Sequence, residues 1–269
     1  KWRRIAENPI AYYGNILSIA GKNNQVWIST LNGVSRFNLT ENNYELNTGI
    51  AFTNYSKRDG LGSDYIYHIL IDKQNRVWFA TDGAGVAVFQ NNLFTNFYTA
   101  GRFPASVTYS LAEDKNQHIW ISTYNEGLFK YDGKIFTRYG IKNGLTDLAI
   151  SSIAVDEFNN VIAVNKKGID ILNPVKNIVQ HYGPESGFYE PQPNLNSISK
   201  GPDGKIWIGT DNGIVCLNTS SAAVTYRPVA VIEYVNLFNN PIDTAGRKNI
   251  AYDQNNFSVK LADAFHKAP

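Results

Sequence analysis

The histidines are the first residues to consider for chemistry, because imidazole is a common general base and metal ligand near neutral pH. The chain has four of them, His68, His118, His181 and His266. No two show metal-ligand spacing, such as H-x-x-x-H with a nearby acid. No phosphate loop, dinucleotide fingerprint or nucleophile elbow occurs either. The sequence therefore predicts structural or solvated histidines, no metal site, no catalytic residue and no cofactor.

Three aspartates, Asp72, Asp114 and Asp156, recur at one position of a repeating segment. Carboxylates in register can cap turns by accepting backbone N–H groups, or they can bind calcium. Side chains on separate repeat units point to separate places, which does not suit a shared calcium ion. We therefore expect these residues to cap turns.

The loops between the repeats contain aromatic residues beside arginine, amide and acid side chains. Aromatic rings stack on the apolar face of a sugar, and planar polar groups hydrogen-bond its hydroxyls. Apolar loop residues can instead fill the space between repeats, and we expect this of Leu61, Leu145 and Phe188. The residues predicted to contact a ligand are Tyr12, Tyr65, Arg102, Tyr124, Tyr189 and Glu190.

The repeating segment consists of a β-branched residue, tryptophan, an apolar residue, a small residue and threonine. Its anchor positions are Trp27, Trp78, Trp120, Ile162 and Trp207, of which Ile162 belongs to a degenerate copy. The spacing is near 42 residues, which indicates one supersecondary unit repeated five times.

Each unit reads as four short strands joined by turns. Val, Ile, Tyr, Phe and Trp dominate the short segments, and Asn, Asp and Gly lie between them. About ten residues for each strand and turn matches one blade of a β-propeller. We predict an all-β fold with almost no helix, in which residues 1–226 form four-stranded blades and residues 227–269 form a separate, partial β segment.

Composition narrows the range of partners. Charged residues make up 18% of the chain and the net charge is +2, which disfavours nucleic acid or a membrane surface as the main partner. No apolar run reaches the length of a membrane span. The single cysteine, Cys216, excludes an intrachain disulfide and is predicted to be a small buried residue of a third strand.

Several of these segments resemble two-component regulator propeller repeats. The similarity rests on the Asp-x-x-x-x-Ile-Trp-Ile pattern, on the run 136–140 (Phe-Thr-Arg-Tyr-Gly) and on the run 143–146 (Asn-Gly-Leu-Thr). The segments 227–236, 239–242 and 252–259 are similar to the start of the immunoglobulin-like domain that follows such propellers. Family propellers commonly have seven blades, so we expect either a fragment of a longer protein or a compact five-bladed relative.

The resemblance implies a function and a location. Such repeats build the extracytoplasmic sensor regions of hybrid two-component proteins, which implies a periplasmic, non-catalytic module that responds to an oligosaccharide. It also implies a homodimer in the full-length receptor, with the signal transmitted by reorientation of the rigid propeller.

Two alternatives remain open at this stage. The propeller could be a structural or dimerisation spacer, which a flat polar face without a pocket would favour. It could also be a lyase of the streptogramin-lyase type, which would need converging acid and base groups. The fold alone does not distinguish among these three functions, because propellers support many functions.

Overall fold

The computed structural model describes residues 15–39, 51–186 and 193–219, together with the strand segments 230–237, 240–242 and 257–263. The chain divides into two compact units, Lys1–Thr219 and Ser220–Pro269. The first unit is a β-propeller of five blades, which confirms the predicted fold class.

The blades follow one another along the chain, and neighbouring strands within each blade are antiparallel. Blade 1 contains β1 (Ser18–Lys22), β2 (Gln25–Thr30), β3 (Gly33–Asn38) and β4 (Thr53–Tyr55). Blade 2 contains β5 (Ile66–Ile71), β6 (Val77–Thr81), β7 (Val86–Gln90) and β8 (Leu93–Asn96). Blade 3 contains β9 (Thr108–Glu113), β10 (Ile119–Thr123), β11 (Leu128–Tyr131) and β12 (Phe136–Tyr139).

Blade 4 contains β13 (Ser152–Val155), β14 (Val161–Asn165), β15 (Gly168–Asn173) and β16 (Ile178–Tyr182), and blade 5 contains β17 (Pro193–Lys200), β18 (Ile206–Thr210) and β19 (Gly213–Leu217). The helical content of the described residues is three short 3-10 turns, at Lys57–Asp59, Ile141–Asn143 and Pro184–Ser186. The near absence of helix also agrees with the sequence prediction.

Turn chemistry explains where the strands end. Asn91 and Asn92 have φ values of 53° and 61° in the turn between β7 and β8, a left-handed conformation that asparagine tolerates. Gly127, in the turn between β10 and β11, has a φ of 80°. A Cβ atom there would collide with the carbonyl oxygen of Tyr139, so the position requires glycine.

The hydrophobic core lies between the blades and comprises four buried clusters, one for each pair of successive blades. Each fully buried anchor tryptophan packs into a cluster that includes residues of the following blade. Trp27, for example, makes edge contacts with Phe79 and Phe89 of blade 2, at ring-centroid distances of 5.6 and 5.2 Å. Leu61 and Leu145 fill such clusters, as predicted, whereas Phe188 lies outside the described residues.

Buried aspartates hold the tryptophan indoles and the first turn of the middle blades. In blade 3, the indole Nε1 of Trp120 donates to Asp114 at 3.1 Å, and the backbone N–H groups of Asn116 and His118 donate to the same carboxylate. Asp72 accepts the indole N–H of Trp78 at 2.8 Å in the same way. The prediction that these aspartates cap turns is confirmed.

Side chains on the inner strands join neighbouring blades near the propeller axis. The backbone N–H of Ile69 donates to Ser18 Oγ at 3.1 Å, and that of Ile153 donates to Ser110 Oγ at 3.2 Å. His68 occupies the corresponding position in blade 2, where its Nδ1 accepts the N–H of Leu111 at 2.9 Å. Because Nδ1 is an acceptor, the imidazole is neutral, and burial lowers the pKa of His68 to about 4.

Blade 5 differs from the sequence prediction in one respect. Cys216 was expected to be buried but is exposed. It pairs across the sheet with Trp207, whose side chain is 44% exposed, while the other anchor tryptophans of blades 1 to 3 are fully buried. Both residues lie on the side of blade 5 that, among the described residues, no further blade covers.

The second unit contains one antiparallel sheet in the order β21-β20-β22. Its strands are β20 (Ala230–Leu237), β21 (Asn240–Ile242) and β22 (Phe257–Asp263). The domain boundary at residue 226 and the immunoglobulin-like character of this part both stay predictions.

Replacing Asp114 tests the turn and indole cap. We expect Asp114→Ala to lower the free energy of unfolding by about 2–4 kcal/mol, because buried donors of Trp120 and His118 lose their acceptor. Urea denaturation followed by tryptophan fluorescence measures the change. Asp203→Ala is the control, since that exposed turn carboxylate should change stability by less than about 0.5 kcal/mol. Equal losses for the two variants would contradict the cap.

His68 should make stability depend on pH. Its pKa is lowered on folding, so the unfolded chain binds more protons between pH 6.5 and 4, and stability is lost as the pH falls through that range. His68→Asn keeps an acceptor for Leu111 but does not titrate. We expect wild type to lose about 1–3 kcal/mol more than the variant between pH 6.5 and 4. Denaturation curves at four pH values measure this, and parallel pH profiles would refute it.

Candidate ligand-binding pocket

A cavity of about 470 Å³ opens where blades 3, 4 and 5 meet at one face of the propeller. Blade 3 provides residues from the start of β9 and from the turn after β10. Blade 4 provides the loop before β13 and the turn after β14, and blade 5 provides the start of β17. The lining residues are Tyr109, Tyr124, Asn125, Ala149, Ser151, Lys166, Pro193 and Leu195.

Most of the lining comes from two positions of the repeat. The first is near the start of each inner strand, where Tyr67, Tyr109, Ser151 and Pro193 follow one another at intervals of 42 residues. The second begins the turn after the next strand, where Asp82, Tyr124 and Lys166 follow at the same interval. Because equivalent backbone positions converge on the axis, the propeller brings together side chains that are far apart in the chain.

The tyrosines form a row along the mouth of the channel. Tyr67 and Tyr109 make an edge contact with ring centroids 5.2 Å apart, and Tyr109 and Tyr124 make another at 6.1 Å. The hydroxyl of Tyr67 donates to Asp82 Oδ2 at 2.9 Å. Burial and this carboxylate raise the pKa of Tyr67 to about 12. Burial, with smaller effects of Tyr124 and Asp82, also raises the pKa of Tyr109. Both phenols therefore stay protonated near neutral pH and can donate hydrogen bonds.

A buried carboxylate fixes the blade 4 part of the pocket. Asp170 is fully buried and accepts hydrogen bonds from the backbone N–H of Thr146, from Asn165 Nδ2 and from the ring of His181. Thr146 belongs to the loop that leads to Ser151, and Asn165 begins the turn that carries Lys166. The network therefore holds in place two of the loops that line the cavity.

Asn196 of β17 links blade 5 to blade 2. Its φ of 55° accompanies an irregularity in the pairing of β17 with β18, and its Nδ2 donates to the carbonyl oxygen of Tyr67 in blade 2 at 3.1 Å. Its Oδ1 is buried without a hydrogen-bond partner among the described residues. A buried acceptor of this kind is suited to a bound water or ligand group.

Three of the predicted contact residues can be placed. Tyr124 lines the pocket and is 59% exposed. Tyr65 and Arg102 are exposed but are not part of its lining, and the Arg102 guanidinium lies 5.1 Å from the centre of the Phe97 ring. Tyr12, Tyr189 and Glu190 lie outside the described residues.

The sequence reasoning missed Tyr109, Ser151 and Lys166. It searched the loops for aromatic and polar residues, whereas these side chains occupy fixed positions of the repeat. Aligning the units on their tryptophan anchors would have grouped these positions, because the residues of each column follow one another at intervals of 42 residues.

The described histidines have structural roles, as expected. His118 lies 2.9 Å from Asp114 and His181 lies 2.8 Å from Asp170, while His266 is outside the described residues. Within the described segments, no group of three or more His, Cys, Asp or Glu side chains could hold a metal ion. Over the same segments, none of the helices has the length and apolar character of a membrane span.

A protein-family model matches two segments of the propeller. The model for the two-component regulator propeller matches residues 60–83 and 102–125, which lie in the blade 2 and blade 3 region. No curated protein sequence is significantly similar to the chain.

Solved structures of two extracellular domains share the fold. The extracellular domain of BT3049 from B. thetaiotaomicron, a candidate hybrid two component system, is 21% identical with a TM-score of 0.76, and the match covers 93% of this chain and 35% of that one. The extracellular domain of BT4673 from the same organism, described as a one component system, is 25% identical with a TM-score of 0.66, covering 81% and 31%. The chain thus spans about a third of the length of these proteins.

An enzyme also has a similar fold. Virginiamycin B lyase from Staphylococcus aureus is 17% identical with a TM-score of 0.57, and the match covers 79% of this chain and 71% of the lyase. At this identity the likeness concerns the fold alone.

The Tyr67–Asp82 pair at the channel mouth can be tested by titration. We expect Asp82→Ala to lower the pKa of Tyr67 from about 12 while leaving it above 10, because burial is the larger cause and persists. Tyrosine-labelled NMR spectra recorded against pH measure the shift, with circular dichroism confirming the fold. Asp211→Ala, at the corresponding position of blade 5, is the control and should leave the pKa of Tyr67 unchanged. An unaltered Tyr67 pKa in Asp82→Ala would contradict the pair.

Proposed function

The chain carries two-component regulator propeller repeats, and from this premise we propose that it is part of the extracytoplasmic sensor region of a two-component signalling protein. The fold shared with extracellular domains of BT3049 and BT4673 supports the proposal. Periplasmic location and a homodimeric receptor belong to the same proposal. A propeller whose blades are joined by four buried clusters is stiff, so its response to a ligand would be a rigid-body reorientation.

The ligand that the pocket suits best is an oligosaccharide. The observation that carries this proposal is the combination, in one cavity at the channel mouth, of the Tyr109 and Tyr124 rings with hydrogen-bonding groups of Asn125 and Ser151. The rings offer stacking surfaces for a sugar, and the amide and hydroxyl suit its hydroxyl groups. A cavity of about 470 Å³ lies within the range typical of small-ligand sites. The presence of this pocket also disfavours a purely structural spacer, for which a flat face without a pocket was expected.

The proposed role is binding without catalysis. The described lining of the pocket contains no histidine and no carboxylate, and the raised pKa of Tyr109 disfavours the phenolate that a general base would need. Lyase activity remains the second candidate because the fold is similar to that of virginiamycin B lyase. Incubation with a streptogramin B substrate and magnesium, followed by mass spectrometry, tests it, and ring opening of the substrate would overturn the non-catalytic proposal.

The loop candidates remain part of the proposal as an outer rim. Tyr65 and Arg102, which are exposed outside the pocket lining, would contact sugar units that extend beyond the pocket, while Tyr124 contacts the unit inside it. Tyr12, Tyr189 and Glu190 stay predicted ligand contacts. A ligand longer than one sugar is needed to reach both places.

Alanine variants of the pocket tyrosines test the proposed function. Calorimetry of the complete protein against a panel of oligosaccharides should identify a binder. We then expect Tyr109→Ala and Tyr124→Ala each to weaken binding by about three- to tenfold, the loss of one stacked ring.

Phe158→Ala is the matched control. Phe158 is an aromatic residue of similar exposure, 58%, in the turn between β13 and β14, and it is not part of the pocket lining. Its affinity should equal that of wild type. Unchanged binding by both tyrosine variants, with losses in Tyr65→Ala or Arg102→Ala, would move the site from the pocket to the loops. Absence of any oligosaccharide binding would refute the proposed ligand class.

A further inference from the structure

Lys166 is the one charged side chain in the described lining of the pocket. It is exposed, and it forms neither a hydrogen bond nor an ion pair with any residue that the structure describes. An ammonium group on a cavity wall, beside aromatic rings and without a partner, attracts an anion from solution.

The neighbouring Lys167 shows that pairing was available at this turn. Its Nζ donates to the carbonyl oxygen of Thr146 at 2.7 Å and lies 3.9 Å from Asp147 Oδ2. Lys167 therefore ties the turn to the preceding loop. Lys166, one residue earlier, lines the cavity instead and makes no such contact with the described residues.

The nearby carboxylates are already engaged. Asp82 accepts the Tyr67 hydroxyl and is not part of the pocket lining. Asp170 is fully buried and accepts hydrogen bonds from Thr146, Asn165 and His181. In the described residues, no carboxylate forms an ion pair with the Lys166 ammonium, so Lys166 provides the one formal charge of the described pocket lining.

We propose that the ligand is an acidic oligosaccharide, whose carboxylate or sulfate group pairs with Lys166 Nζ while a sugar ring stacks on Tyr109 and Tyr124. This inference rests on the proposed function and adds the charge of the ligand to it. A neutral sugar would leave the ammonium without a partner and partly desolvated, whereas an acidic sugar supplies its counter-ion. The ion pair selects among glycans, since stacking and hydroxyl contacts are shared by neutral and acidic sugars.

The test compares matched sugars by calorimetry on the complete protein. The probes are oligosaccharides of galacturonic and of glucuronic acid, the same oligosaccharides after reduction of their carboxyl groups, and a sulfated disaccharide. We expect an acidic probe to bind at least tenfold more tightly than its reduced counterpart. Its affinity should fall as sodium chloride is raised, because the pair is near solvent.

Two variants complete the experiment. Lys166→Met should bring the affinity for the acidic probe down to that for the reduced probe and leave the reduced probe unaffected. Lys134→Met, which removes a lysine from an exposed turn outside the pocket lining, should change neither. Thermal melting should be the same for both variants, because Lys166 makes no hydrogen bond or ion pair with the residues that the structure describes.

The outcomes separate this inference from the proposed function. Equal affinity of the wild type for acidic and reduced probes would overturn the inference that the ligand is acidic. An affinity of Lys166→Met for the acidic probe equal to that of the wild type would do the same. In both cases the sensor proposal stands. Binding of the sulfated disaccharide alone supports an anionic ligand and assigns the anion as sulfate. Absence of binding to every probe overturns the inference, and the oligosaccharide proposal falls with it when the wider oligosaccharide panel also shows no binding.

Discussion

Each blade must bury its apolar face against the next blade, and a tryptophan indole stands at the centre of that contact. An indole N–H in such a cluster needs an acceptor, because an unpaired buried donor costs about 1–3 kcal/mol. Asp72 and Asp114 meet the requirement in blades 2 and 3 and cap the adjoining turn at the same time. One carboxylate thereby couples the local turn to the packing between blades.

The exceptions follow from the same requirement. Blade 1 has Gly21 at the aspartate position, and the indole of Trp27 donates instead to Gln25 Oε1 at 2.9 Å. Blade 4 keeps Asp156 but has Ile162 in place of tryptophan, and Asn160 Nδ2 occupies the carboxylate at 2.9 Å. In blades 1 to 4, each of these buried donors or acceptors thus has a hydrogen-bond partner, although the partner residue differs from blade to blade. The structure requires the hydrogen bond and not a particular residue type.

Packing and the proposed ligand contacts use separate positions of the repeat. The anchor tryptophans and their aspartates lie within the blade contacts, whereas Tyr109, Ser151 and Lys166 line the pocket at the channel mouth, outside the four buried clusters. A blade can therefore change its contribution to the site without altering the core. This separation explains how one wall of the pocket can be aromatic and another cationic within a uniform framework.

The sequence by itself determined the blade. The tryptophan period, the turn aspartates and the strand-forming segments specify local structure through short-range contacts, so blade number, turn capping and the burial of Leu61 and Leu145 could be predicted. Only the tertiary structure decided which surfaces meet. Cys216 is exposed because of where blade 5 stands, and Tyr109, Ser151 and Lys166 share a pocket because the inner strands converge on one axis. Neither fact could be predicted from the local sequence, since both depend on how successive blades are arranged about that axis.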